Sequence, residues 1–132
     1  MKMKNRRAFK YFTEQLREDL VVTAYEQACF YWAKFYTMDR KAEKALQVCD
    51  QRKATSEQIY EAVTKHGASF RIIDAETWEY LGDFNNSGIL KGEKLMHKNH
   101  YEHWRNAISD NWDAETADVW FQLCIMGELV YG

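Results

Sequence analysis

Phe9, Phe12, Leu16 and Leu20 recur at three- and four-residue intervals, the spacing of one face of a helix. A first helix is therefore expected from about Asn5 to Leu20. Thr23 followed by Glu26 has the form of a capping box, and Ala24, Ala28, Tyr31, Trp32 and Phe35 carry the spacing on to about Tyr36. Because the chain contains no proline, the two segments read equally well as one long helix. Asp39 is placed to cap a further helix bearing Ala42, Ala45, Leu46 and Cys49. Thr55 with Gln58 forms a capping box for another, with Ile59, Tyr60 and Val63 on its apolar side and Gly67 closing it.

The period then changes. The runs SFRII and WEYLG are rich in β-branched and aromatic residues and flank the polar DAET, the pattern of a hairpin. NNSG reads as a second turn, with Ile89 and Leu90 starting a third short strand. Helical spacing returns with an Asn99/Glu102 capping box, Tyr101, Trp104, Ala107 and Ile108. A last helix is capped by Asp113 and carries Ala117, Trp120, Leu123 and Cys124. The expected fold is α+β: a helix-dominated single domain over residues 1–132 with a small three-stranded antiparallel β-meander packed against helices. Helices are expected over about 5–66, the meander over about 70–91 and helices over about 99–130. A three-stranded sheet this small needs the helices to cover its apolar face.

The segment DFNNSGILKGEK, residues 83–94, tests a metal reading. Asp83, Asn85, Ser87, Gly88 and Leu90 match the first eight positions of a calcium-binding EF-hand loop, but Lys94 stands where a bidentate carboxylate is required and Glu93 falls one place early. Asn and Gly tolerate positive φ, so the segment is expected to be a turn. His97, His100 and His103 lie within seven residues. His100 and His103 share a helical face, but no HExxH-type pattern supplies further ligands. A metal-binding or metal-dependent site at these three histidines is the alternative reading.

Composition narrows the classes. The chain has 132 residues, 46% hydrophobic and 15% aromatic, enough for one well-filled core. The net charge of −2 argues against a general polyanion binder. Lys2, Lys4, Arg6, Arg7 and Lys10 nevertheless cluster at the start, where they offer a weak, salt-sensitive nucleic-acid contact. Nucleic acid is not the expected partner. From Asp110 onward the charges are all acidic: Asp110, Asp113, Glu115, Asp118 and Glu128. Cys29, Cys49 and Cys124 show no paired or zinc spacing and read as buried thiols in a reducing compartment. No apolar run approaches the roughly 20 residues of a membrane span, and the start lacks a signal-peptide core. A soluble, cytoplasmic protein is expected.

No GxSxG, P-loop or GxGxxG motif is present. Enzymatic activity is therefore not indicated, no catalytic residue is singled out and no cofactor is implied. What remains is a surplus of rings. YEQACFYWAKFY places aromatics on nearly every side of its expected helix, and such a helix is buried on all sides. The expected function is that of a small non-enzymatic binding protein acting through a protein–protein surface, of the kind found among accessory or inhibitor proteins of phages and mobile elements. The interaction candidates are Tyr31, Trp32, Tyr36, Trp112, Asp113, Glu115 and Asp118. Self-association into a homo-oligomer is also expected, through the rings or by pairing the basic start with the acidic end.

Overall fold

The computed structural model describes residues 6–37 and 55–132. Among these, five helices and three strands follow in the order α1 (Glu14–Tyr31), β1 (Ala33–Thr37), α2 (Ser56–His66), β2 (Phe70–Asp74), β3 (Tyr80–Phe84), α3 (Asn86–Asn99), α4 (Tyr101–Ile108) and α5 (Ala114–Met126). The fold is α+β and helix-dominated, with one antiparallel sheet of order β1-β2-β3 packed against helices.

Several elements form where their capping residues direct. Thr55 and Gln58 make a reciprocal capping box at α2, and Gly67 closes that helix at φ 68°, in the left-handed region that suits glycine. The Asp113 side chain accepts from the Thr116 amide and starts α5. The β2–β3 hairpin turns about Asp74, whose carboxylate accepts from the amides of Glu76 and Thr77, each at 2.8 Å.

Other expectations are corrected. The first helix begins at Glu14, capped by Thr13, and not near Asn5. It runs through Thr23 without the restart that Glu26 suggested, and it ends at Tyr31. The following residues form β1 instead of prolonging the helix to Tyr36, because Phe35 pairs with Ile72 in the ladder and sets its ring among Tyr25, Phe70, Phe84 and Phe121. β1 is thus the third strand, and the strand expected at Ile89–Leu90 does not form. There Asn85 accepts from the Gly88 amide and opens α3, so the Asn- and Gly-rich segment is a helix cap, not a hairpin turn. The Asn99 capping box is likewise absent. His100 occupies the cap position of α4 without a side-chain cap bond. The helix expected to follow Asp39, with Cys49, lies outside the described residues.

The helix buried on nearly all sides is α5, from Thr116 to Ile125, and not the ring-rich segment around Trp32. Helices α1, α3 and α4 and strand β3 surround it, and α2 packs on α1. Three glycines let neighbouring backbone approach α5. A Cβ on Gly92 would lie 2.7 Å from the Cys124 backbone, one on Gly88 2.5 Å from the Cys124 carbonyl oxygen, and one on Gly82 2.1 Å from that of Ile125. Cys124 is buried as expected, whereas Cys29, in α1, is exposed.

Candidate functional site

The inner sheet face is core. Ala33, Phe35, Phe70, Ile72 and Phe84 are buried, and Gly82 faces the end of α5. By alternation, Lys34 and Tyr36 of β1 and Arg71 and Ile73 of β2 point to the other face. In β3, Tyr80 pairs with Ile73 and Asp83 with Arg71, and the register shift between Ile72 and Ile73 is absorbed around Leu81. This outer face has a consistent chemistry. Trp78, just before β3, is 61% exposed and Tyr80 is 56% exposed. The Lys34 ammonium sits 3.8 Å from the centroid of the Trp78 ring, and the Arg71 guanidinium lies 5.2 Å from that of Tyr80. Among the described residues, neither cation forms an ion pair. Trp78 holds φ 67°, a conformation that costs a bulky non-glycine residue about 1–3 kcal/mol.

The interaction candidates read from sequence divide. Tyr36 belongs to this face. Tyr31, at the end of α1, is 69% exposed. Trp32 is buried, stacked on Tyr131 at 4.8 Å and edge-on to Phe121. Trp112 is half-buried beside the start of α5. Asp113 is that helix's cap, Glu115 lies 3.5 Å from His103 Nε2, and Asp118 accepts from Gln122 Nε2 at 2.8 Å. Burial pushes the Asp118 carboxyl above its ordinary range. These acids have local structural partners.

The basic start is also engaged. Arg6 donates to the carbonyls of His97 and Lys98 at the end of α3, and its guanidinium lies over the Tyr101 ring at 4.3 Å. The Arg7 amide donates to the Tyr101 hydroxyl at 2.8 Å, and its guanidinium reaches Ser109. Lys10 is exposed, while Lys2 and Lys4 lie outside the described residues. Arg6 and Arg7 therefore strap the start of the chain to α3 and α4, where positive charge complements the carbonyl end of α3.

The histidines do not converge. His97 Nε2 pairs with the Arg7 carbonyl at 2.8 Å, and its ring sits edge-on among Phe9, Tyr101 and Trp104. His103 Nδ1 pairs with the Thr116 hydroxyl at 3.0 Å, and His100 lies at the α3–α4 junction. Among the described residues, no three His, Cys, Asp or Glu side chains are grouped to hold a metal ion.

One polar cluster escaped the sequence reading. Glu93 is 0% exposed. Its Oε1 accepts from the Phe12 amide at 3.0 Å and Arg17 Nη2 at 2.8 Å, and its Oε2 accepts from Arg17 Nε at 2.8 Å and Trp120 Nε1 at 3.1 Å. Burial, followed by the adjacent Glu93 charge, raises the neighbouring Cys124 thiol well above its usual range, which disfavours a thiolate nucleophile. With four donors converging on one carboxylate, this is a pin between α1, α3 and α5, closed to substrate. No helix of the described residues is long and apolar enough to cross a membrane. A scan against protein-family models, a search of curated proteins and a search of solved structures each gave no match.

Proposed function

We propose that this protein is a small non-enzymatic binding module that engages a protein partner through the outer face of its sheet. The observation that carries the reading is Trp78, held in solvent at a strained backbone position beside Tyr80, Lys34 and Arg71. A ring of this size contributes most when buried. Trp, Tyr and Arg are also the residue types that dominate binding energy at protein interfaces. The features that suggested self-association support this reading less well. Tyr25, Trp32 and Phe35 are buried within the chain, and Arg6 and Arg7 are bound to α3 and α4.

A photo-crosslinking residue at position 80 should capture one discrete protein from cells that express the chain. The same residue at Glu61, exposed on α2, should not. The captured protein, once purified, should bind the wild-type chain at least about ten-fold more tightly than Trp78→Ser/Tyr80→Ser, the loss of one good hot spot. Equal binding by a double variant with unchanged circular dichroism would overturn the reading.

A further inference from the structure

The geometry points to an extended peptide segment with carboxylates at alternate positions as the occupant of the outer sheet face, an inference that rests on reading this face as the contact surface. Lys34 stands opposite Ile73 in the β1–β2 ladder, and Arg71 lies two residues from Ile73 on the same strand and face. Diagonal neighbours of this kind are about 7–8 Å apart. In an extended chain, side chains two residues apart share a face at about 6.6–6.8 Å. The two spacings agree to within about 1 Å, a difference that the long Lys34 and Arg71 side chains can take up, so one extended segment can present a carboxylate to each cation without bending.

Charge and ring geometry favour carboxylates over nucleic acid. Both cations lack ion-pair partners among the described residues, so an incoming carboxylate displaces no existing pair. Lys34 already occupies one face of the Trp78 ring at 3.8 Å, which removes that face as a stacking surface for a base. Asp83, opposite Arg71 in the β2–β3 ladder, repels either kind of anion at that position, while the chain's net charge of −2 repels a dense run of phosphates more than two spaced carboxylates. Ile73, Tyr36 and Tyr80 supply the apolar ground between the charges.

The probe is a short labelled peptide alternating Thr and Glu, titrated with the full chain by fluorescence anisotropy at low ionic strength. Comparators are a peptide of the same composition with its Glu residues in one block, the Gln-for-Glu peptide and an oligothymidylate of equal charge. The alternating peptide should bind most tightly and weaken as salt rises. Lys34→Gln/Arg71→Gln should weaken it by roughly ten-fold, as expected for two partly exposed ion pairs. Lys65→Gln/Arg105→Gln, on other surfaces, should leave it unchanged. Equal affinity for the block peptide, or indifference to Lys34→Gln/Arg71→Gln, would overturn the inference. Tighter binding of the oligothymidylate would overturn it in favour of a nucleic-acid platform. If no acidic peptide binds while the crosslinked partner still depends on Trp78 and Tyr80, the alternating-carboxylate inference fails and the protein-binding reading stands.

Discussion

At the scale of single residues, Glu93 and Asp74 show two ways a carboxylate can hold this chain together. Glu93 is buried, with Arg17 (side chain 18% exposed) as its counter-charge. Glu93→Ala would leave that guanidinium, the Trp120 indole and the Phe12 amide without their acceptor. Removing one partner of a buried pair costs about 3–5 kcal/mol, a large part of the roughly 5–15 kcal/mol that holds a domain folded. Urea denaturation should show that loss, and a change below about 1 kcal/mol would mean the donors find other acceptors. Glu93 was invisible in the sequence because its partners come from residues 12, 17 and 120. In the sequence it stands only as a calcium-loop carboxylate one place early.

Asp74 acts at the surface. The Tyr131 hydroxyl donates to it, and the amides of Thr77 and Glu76 follow, lowering its carboxyl to about 2. A folded value below the unfolded one means stability that is complete above about pH 4 and is lost as pH falls from there through 2. Burial, then Asp74, raises the Tyr131 hydroxyl to about 12. That contribution is present below about pH 10 and is lost as pH rises through 12. Thermal melts against pH should therefore show that Tyr131→Phe flattens the alkaline limb and reduces the acid one, while Asp74→Asn flattens the acid limb and reduces the alkaline one.

Among the elements, the contact of α3 with α5 depends on missing side chains. Gly88 and Gly92 are one helical turn apart and face the Cys124 backbone, so the two helices meet backbone to backbone. Gly92→Ala would drive a methyl group into that backbone, which a side-chain rotation cannot relieve. A loss of about 1–3 kcal/mol is expected, measurable by chemical denaturation, whereas Gly67→Ala meets no atom within 4 Å and is strained only through its positive φ. The helices were readable wherever a cap and a 3.6-residue pattern agreed, as at α2 and α5. α3 was misread because glycine and a buried carboxylate occupy its core-facing positions, leaving Ile89 and Leu90 to resemble a strand. β1 was misread because its spacing suits a helix as well, and only the pairing of Phe35 with Ile72 decides between them. On the outer face, Tyr80 was legible as a strand residue, whereas Trp78, read as part of the same strand, lies just before β3. Their exposure depends on which side of the sheet α5 covers, and no local pattern states that.

For the molecule as a whole, the sheet joins a local hairpin to a strand from far upstream. β2 and β3 are close in the chain, whereas pairing β1 with β2 closes a loop from residue 37 to residue 70, an entropic cost met before the contact stabilises anything. Phe35→Leu should therefore speed unfolding and barely change the folding rate. Ile73→Ala, if the hairpin belongs to the folding nucleus, should slow folding. Stopped-flow kinetics in urea separates the two. The same long-range wiring has a consequence during synthesis. Trp32 is covered by Phe121 and Tyr131, and Phe35 by Phe70, Phe84 and Phe121. A ribosome adding about 5–20 residues per second takes roughly 5–20 seconds to go from Trp32 to Tyr131. Until Phe121 and then Tyr131 are made, the nascent chain carries a Trp32 ring without either of the rings that finally cover it, so the early segment leaves that apolar surface open until the end of synthesis.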